Sequence, residues 1–207
     1  MNSIVKSLIY CGGIHGLTSI IDTKINNLPS AITCILFQSS FVFRSIISLF
    51  QSYHRRNYDQ QLVRNDTEQT LDYLIGYFIY DILFLLKTTP KSLFIIHHLI
   101  GLLMISVIKY IGFPADLLKH YNAVCVVSEI TNPLLNLRYI TTGTPYYSLN
   151  MKLILFTYTL FRIIAFPLVS FELLSKLNSN ILWTLFTTIY FMSLVWFKKI
   201  IFMTLFK

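Results

Sequence analysis

Long apolar segments follow one another through most of the sequence, and they constrain its fold more than any other feature. They cover approximately residues 31–50, 71–87, 93–111, 115–137, 150–174 and 181–203. A membrane-spanning α-helix needs about 20 mostly apolar residues, and each segment comes close to that length. Because the backbone crosses lipid only as a helix or as a closed barrel, we predict an all-α polytopic membrane protein with six transmembrane helices.

The composition supports this class and leaves no room for a separate soluble domain. Of the 207 residues, 55% are hydrophobic and 13% are charged, whereas soluble domains have about 45–50% and 25%. The hydrophilic stretch 51–70 is predicted to be a loop. The formal net charge is +8, but the basic residues stand singly at span ends and in loops, as lipid anchors do. Nucleic acid is therefore not an expected partner.

Residues 1–30 are predicted to form a separate N-terminal segment, followed by the membrane domain at 31–207. Its apolar run, residues 3–21, is interrupted by glycines and a histidine, so we expect an interfacial helix or a poor seventh span, and no removable signal peptide. The three cysteines, Cys11, Cys34 and Cys125, all lie in apolar segments, where we expect small buried side chains rather than disulfides. Lysine and arginine counts on the two sides of the membrane do not decide the orientation.

Two adjacent histidines, His97 and His98, lie inside an apolar segment. Ionisable groups in spans cost about 2.5–3.5 kcal/mol each at the helix centre on insertion scales, and they usually face a bundle interior or an aqueous cavity. Residues equally far from a short turn lie at similar depth in antiparallel helices. Counting from the turns places Asp81, His97 and Glu129 at one level, with Arg162 close to it. We therefore predict one shared polar site.

The predicted span 115–137 has a polar face. Asn122, Cys125, Glu129, Asn132 and Asn136 follow the spacing i, i+3, i+7, i+10, i+14, which is a single helical stripe. Pro133 is expected to kink this helix by removing a backbone hydrogen bond. A kinked polar face in a membrane helix is typical of a cavity lining.

An Asp–His pair in an apolar pocket is a general-base arrangement, in which the carboxylate orients the imidazole. With no serine or cysteine expected at that depth, the imidazole itself would be base or nucleophile, and acyl transfer from a thioester suits such a site. Two alternatives remain. Both imidazoles would join helices by hydrogen bonds, or two histidines and a carboxylate would bind zinc or iron. Adjacent histidines are poorly placed to chelate one ion from a regular helix, so no metal site is expected.

Four ordered motifs resemble the TLC domain, which is shared by ceramide synthases, translocating-chain-associated membrane proteins and smaller TLC-domain-containing proteins. They are "GYFIYDILFLL", "FIIHHLIGLL", "SEITNPLLNLRYI" and "LFRIIAFP". The resemblance extends over roughly residues 31–203 and is closest to the smaller proteins. It implies a six-helix membrane barrel around a lipid cavity, usually in the endoplasmic reticulum.

The resemblance also implies roles for individual residues. In ceramide synthases, a His pair and a nearby Asp are required for transfer of an acyl group from acyl-CoA to a sphingoid amine, and His97, His98 and Asp81 occupy those motif positions. The residues that match motif positions of the smaller group are Glu129, Asn132, Asn136, Arg138 and Arg162. The longer acidic motif of true ceramide synthases and their additional N-terminal region are not recognisable here.

Two functions follow as hypotheses. In the first, the protein is an acyltransferase with His97, His98 and Asp81 as catalytic residues and acyl-CoA as co-substrate, without a tightly bound cofactor. In the second, it is a non-enzymatic lipid-binding protein that regulates membrane composition or lipid trafficking. The expected partners are membrane lipids (an acyl chain, a sphingoid base or a phospholipid), and a homodimer is compatible with either function. The predicted lining of the lipid cavity consists of Asn122, Glu129, Asn132, Asn136, Arg138 and Arg162.

Overall fold

The computed structural model describes residues 3–21, 28–54, 60–88, 92–112 and 117–206, and all regular structure in these ranges is helical. This confirms the predicted all-α class for the described residues. The helices are α1 (Ser3–Ile21), α2 (Leu28–His54), α3 (Gln60–Thr88), α4 (Ser92–Ile111), α5 (Leu118–Glu129), α6 (Asn132–Thr141), α7 (Tyr147–Thr157), α8 (Phe166–Leu177) and α9 (Asn180–Leu205). A π-helical segment, Tyr158–Ala165, joins α7 to α8 without a break.

Four helical stretches in the described ranges are long and apolar enough to cross a membrane. They are Ala31–Tyr53, Leu93–Ile111, Tyr147–Leu177 and Asn180–Leu205. The other two predicted spans differ from these in a recognisable way. The apolar half of α3 carries three charged residues, Asp72, Asp81 and Lys87, and the segment 115–137 is divided between α5 and α6. The count of six spans therefore stays a prediction.

The segment expected as one kinked span is interrupted by a turn at Ile130 and Thr131. Pro133 lies in the first turn of α6, where its missing N–H leaves no helical hydrogen bond unmade. The Ile130 N–H still donates to the carbonyl of Val126 at 3.0 Å, which closes α5. As a result, α5 ends at Glu129 and α6 begins at Asn132, so that two polar side chains flank the turn.

The prediction of a loop over residues 51–70 is wrong for most of its length. Residues 51–54 end α2 and residues 60–70 form the first turns of α3, while residues 55–59 lie outside the described residues. Arg64 and Glu68 form an i,i+4 ion pair of 3.0 Å, which supports the helix on its outer side. On the inner side, Thr67 is 1% exposed and accepts a hydrogen bond from the Asn122 amide at 3.1 Å. The stretch is polar and helical because one of its faces packs against α5.

Six helical units pack around a common centre in the described part of the chain. Their order around the centre is α2, α3, α4, α9, the α7–α8 unit and the α5–α6 unit, which packs against α2 again. The N-terminal helix α1 packs along α3 and α2. At this contact a Cβ on Gly76 would lie 2.6 Å from the Cβ of Ser7, so α1 approaches α3 closely because position 76 has no side chain.

The two halves of this ring are filled differently. One half contains an apolar core, to which α3, α4, α5, α8 and α9 contribute Leu74, Ile105, Tyr121, Leu173 and Phe186 among others. Large apolar side chains are also exposed on the outer faces, as lipid-facing helices require. Examples are Phe43, Leu83, Leu103, Phe156, Leu168, Phe191 and Phe202. The other half of the ring surrounds a cavity.

Candidate functional site

The cavity has a volume of about 270 Å³ and is lined by residues of α2, α3, α4, α6, α7–α8 and α9. A volume of this size lies just below the usual range for small-molecule sites, about 300–1,000 Å³. The predicted site residues that line it are Asp81, His97, His98, Asn132, Asn136, Arg138 and Arg162. Two further predicted residues, Asn122 and Glu129, are not part of its lining.

Asp81 of α3 and His98 of α4 face each other at the cavity wall. The His98 Nδ1 atom lies 3.3 Å from Oδ2 of Asp81, and both side chains are buried. The Nδ1 atom makes no hydrogen bond among the described residues. A carboxylate beside an imidazole is the arrangement in which a carboxylate orients a general base.

Packing between α3 and α4 holds this pair together. The ring of Phe78 lies against the ring of His98, with a centroid separation of 4.9 Å. The same Phe78 ring occupies the space over Gly101, where a Cβ would lie 2.7 Å from its Cε2 atom. The glycine one turn after the histidine pair therefore allows Phe78 to support the His98 ring.

His97 points to a different part of the site. Its ring lies edge-on to Trp196 of α9, with centroids 4.9 Å apart. It lines both the main cavity and a second, largely apolar cavity of about 60 Å³. The Nδ1 atom of His97 has no hydrogen-bond partner among the described residues. Both imidazoles thus line the cavity, and the choice between a catalytic role and a helix-joining role for them stays open.

Glu129 and Arg162 form a buried pair between the two cavities. The Oε1 atom of Glu129 lies 3.7 Å from Nη2 of Arg162, and their side chains are 6% and 4% exposed. Asn132 connects them, because its amide donates to Oε2 of Glu129 at 2.5 Å and its carbonyl accepts from Arg162 Nη2 at 3.3 Å. Although Glu129 lies outside the main cavity, it compensates the charge of Arg162, which lines both cavities.

Arg162 reaches this position from the centre of the π-helical segment. Pro167 follows this segment and has no N–H with which to donate to the carbonyl of Ile163. The hydroxyl of Tyr190 donates to that carbonyl instead, at 3.3 Å. Tyr158, also in the π segment, donates its hydroxyl to the carbonyl of Ser193 at 3.2 Å. Insertions of this kind widen a helix locally and occur frequently at functional sites.

A chain of hydrogen bonds along the wall was not predicted. The Tyr77 hydroxyl donates to Sγ of Cys34 at 3.1 Å, and the Gln38 amide donates to the Tyr77 hydroxyl at 3.1 Å. The Asn136 amide in turn donates to Oε1 of Gln38 at 3.1 Å. At the other end of the chain, the Cys34 thiol donates to Oδ1 of Asp81 at 4.0 Å.

This chain corrects the expectation that no cysteine lies at the depth of the histidines, since Cys34 contacts Asp81 directly. Cys34 and Gln38 are four residues apart in α2, which places both on its buried face. That spacing was a signal in the sequence. It is weak, however, because a thiol and an amide cost less to bury than a charge and therefore stand out less in an apolar segment.

The stripe predicted on α5 and α6 is divided between two environments. The Asn122 amide is fully buried and donates to Thr67 at 3.1 Å, so it joins α5 to α3 at a distance from the main cavity. Cys125 lines the smaller cavity. Among the described residues, no group of three or more His, Cys, Asp or Glu side chains is arranged to hold a metal ion.

Comparison with protein families matches the TLC domain over residues 27–203, which is most of the chain. The chain belongs to the TLC-domain family. This confirms the resemblance carried by the four motifs, and together with the four long apolar helices it identifies an integral membrane protein with a lipid-related function. Comparisons with curated proteins and with solved structures give no match.

Proposed function

We propose that this TLC-domain protein is a six-span acyltransferase that uses acyl-CoA to acylate a lipid acceptor. The observation that carries the proposal is the contact of 3.3 Å between His98 and Asp81 in a cavity surrounded by apolar helices. An orienting carboxylate beside an imidazole is what general-base catalysis requires. The family relationship supports a location in the endoplasmic reticulum, and the apolar outer faces are compatible with a homodimer.

In the proposed reaction, His98 accepts the proton of an amine or hydroxyl on the acceptor lipid while Asp81 stabilises the resulting imidazolium. The acceptor nitrogen or oxygen forms a bond to the acyl carbon, the thioester C–S bond breaks, and His98 returns the proton to the thiolate of CoA. His97 faces the same cavity with a free Nδ1 atom and is the second candidate for base or transient acyl acceptor. Cys34 is a further candidate acceptor because of its contact with Asp81.

The test uses the full-length protein in lipid nanodiscs, palmitoyl-CoA as donor, and a sphingoid base or a lysophospholipid as acceptor. General acid–base catalysis contributes about 10²–10⁴-fold, so His98→Ala and Asp81→Asn are expected to lower acyl transfer by at least 100-fold. His120→Ala is the matched control, because His120 is also a buried histidine but lies beside Lys176, away from the cavity. Unchanged transfer in both His97→Ala and His98→Ala would refute the catalytic assignment.

Non-enzymatic lipid binding is the second candidate function. It is favoured by the hydrogen-bond chain through Cys34, Tyr77, Gln38 and Asn136, in which polar side chains of the wall satisfy one another. Intact-mass measurement of the purified protein separates the two functions. Copurified lipid without a covalent adduct supports binding. A fatty-acyl mass shift that disappears in the histidine variants or in Cys34→Ser supports catalysis.

A further inference from the structure

The two ends of the helical ring differ in how their cationic side chains are paired. At the end formed by the start of α3 and the end of α8, each cation of three described ion pairs meets a carboxylate on the surface. These pairs are Arg64–Glu68, Lys109–Asp72 and Lys176–Glu172. Two further described cations at this end, Arg44 and Lys119, contact the Gln69 amide and the Tyr53 ring instead of a carboxylate, so the positive charge there is compensated in part.

At the opposite end, the described cations have no such partners. Arg138 of α6, Lys152 of α7, and Lys198 and Lys199 of α9 form no ion pair with a carboxylate of the described residues. Arg138 instead lies 3.8 Å from Sδ of Met203 and 4.8 Å from the ring centroid of Tyr139. These contacts hold its guanidinium group in place, and no described carboxylate compensates its charge.

Two of these cations differ from ordinary lipid anchors by their position. Single lysines at span ends usually interact with headgroups outside the protein, and this accounts for Lys152 and Lys198. Arg138 and Lys199 line the cavity. Met203, which contacts Arg138, is one helical turn beyond Lys199 in α9, so both cations lie at the same end of the cavity.

The charge of the cavity lining is also unbalanced. Arg138, Arg162 and Lys199 line it, whereas Asp81 is its only carboxylate among the described residues. Glu129 compensates Arg162 from behind the wall. Within the described ranges, the two cations at the end of the cavity therefore lack a negative partner, and the buried Nε atom of the deeper Arg162 has no hydrogen-bond partner there. An anionic group of the ligand would supply the missing charge.

We propose that Arg138 and Lys199 bind a phosphate group of an amphiphilic ligand whose acyl portion extends toward His97 and His98. A guanidinium binds phosphate in a bidentate manner and an ammonium adds a point charge, so the pair suits a phosphate better than a carboxylate alone. The phosphate belongs either to acyl-CoA or to the headgroup of an anionic phospholipid. As an assignment of the substrate, this inference rests on the proposed function, but the binding site is measurable without catalysis.

The test measures binding to the full-length protein in nanodiscs of phosphatidylcholine. One arm uses S-hexadecyl-CoA, a thioether that cannot transfer its chain, and the other uses phosphatidylglycerol detected by native mass spectrometry. Arg138→Gln and Lys199→Gln are each expected to weaken binding of the true ligand at least tenfold, and the double variant more. Lys198→Gln is the matched control, because it removes the same charge from the neighbouring exposed position. It is expected to change binding less than twofold.

The outcome identifies the source of the phosphate. Weakened binding of S-hexadecyl-CoA alone assigns the site to acyl-CoA, and weakened binding of phosphatidylglycerol alone assigns it to a phospholipid headgroup. Equal losses in Lys198→Gln and Lys199→Gln would overturn the proposal, since the effect would then come from general surface charge. Binding of both probes unaffected by Arg138→Gln and Lys199→Gln would overturn it as well.

The inference and the proposed function fail in different ways. Suppose that the protein transfers acyl groups and that Arg138→Gln and Lys199→Gln leave ligand binding unchanged. This result would refute the phosphate site and leave the acyltransferase assignment intact. The opposite result has two parts. Phosphate-dependent binding persists in His98→Ala, and the native protein transfers no acyl group to any acceptor offered. This result would refute the acyltransferase and leave the phosphate site intact.

Discussion

At the scale of single residues, the buried ionisable groups of the site occur in pairs whose members come from different helices. Asp81 of α3 meets His98 of α4, and Glu129 of α5 meets Arg162 of the π segment. Placing one charge within a span is costly, and a partner on a neighbouring helix offsets part of that cost. Each pair therefore joins two helices and also creates the polar surface of the cavity.

The buried Glu129–Arg162 pair leads to a prediction about the stability of the protein. Glu129→Gln keeps the volume and the contact with Asn132 but leaves the Arg162 guanidinium without a negative partner. Breaking a buried pair in this way costs about 3–5 kcal/mol, so the variant is expected to unfold at a clearly lower temperature than the native protein. Thermal unfolding in detergent, followed by the fluorescence of Trp183 and Trp196, measures the difference.

The control for this experiment is the double variant Glu129→Gln/Arg162→Met, which removes both charges. Replacement of a whole buried pair by residues of similar volume is often close to neutral, so the double variant is expected to be more stable than Glu129→Gln alone. A double variant that loses as much stability as the two single changes added together would show that the two groups are not coupled.

The sequence predicted the depth of the site residues in the membrane more reliably than it predicted the contacts between their side chains. Counting from the turns grouped Asp81, His97, Glu129 and Arg162, because helix rise fixes depth in antiparallel spans. The rotation of each helix is set by packing, which such counting does not include. The depth count placed His97 level with Asp81, but in the structure His98 faces Asp81. Asn122 was expected to line the cavity, but its amide donates to Thr67. Gln38 was not singled out, and Cys34 was expected only as a small buried side chain, because uncharged polar groups are common in apolar helices.

At the scale of helices, the approach of α3 and α4 depends on Gly101. A Cβ at this position would lie 2.7 Å from Cε2 of Phe78, and Phe78 is itself buried against His98. Alanine is the better helix former by about 1 kcal/mol, yet overpacking a core costs about 1–3 kcal/mol. Gly101→Ala is therefore expected to lower the unfolding temperature rather than raise it.

A second substitution tests the cause of this effect. Phe78→Leu makes room for the added methyl group, so Gly101→Ala is expected to cost less in the Phe78→Leu background than in the native one. Gly12→Ala serves as the control, because no atom lies within 4 Å of a Cβ at that position in α1. It is expected to leave stability unchanged or slightly higher. Equal effects of Gly101→Ala with and without Phe78 would rule out the proposed contact.

The helices themselves could be predicted where lipid dictates them. An apolar segment in a membrane must be helical, so the expected 93–111 and 181–203 agree closely with Ser92–Ile111 and Asn180–Leu205. The start of α3 could not be found in this way, because its helix is stabilised by packing against α5 and by the Arg64–Glu68 pair. The break between α5 and α6 was foreseen only as a kink at Pro133.

At the scale of the whole molecule, the ring has two chemically different ends. One end has three surface ion pairs, and the other has the cations Arg138 and Lys199, which line the cavity and form no ion pair among the described residues. The difference between the two ends follows from the helix directions. The start of α7, with Lys152, and the last turns of α9, with Lys198, lie at one end of the ring. The end of α8, with Lys176, lies at the other end. A ligand with an anionic group and a long acyl chain matches the positive charge at the end of the cavity and the depth to which the cavity extends.

The last prediction follows from the direction of the helices and concerns the side of the membrane on which three lysines lie. The 26 residues of α9 extend about 39 Å at 1.5 Å per residue, which exceeds the hydrocarbon thickness of about 30 Å. Lys176, just before α9, and Lys198, near its end, must then lie on opposite sides of the membrane. Lys152 must lie on the side of Lys198, because the helix Tyr147–Leu177 runs in the reverse direction. Single cysteines at these exposed positions, treated with a membrane-impermeant maleimide in sealed vesicles, report the side.

Lys152→Cys and Lys198→Cys are expected to react from the same side, and Lys176→Cys only from the other side or after the vesicles are permeabilised. The native protein is the control, since its three cysteines, Cys11, Cys34 and Cys125, are buried and are expected to react little. Reaction of Lys152→Cys and Lys176→Cys from one side would mean that the stretch Tyr147–Leu177 does not cross the membrane. The cavity and the phosphate site would then no longer open at a single membrane face, so this labelling pattern tests the architecture on which both proposals depend.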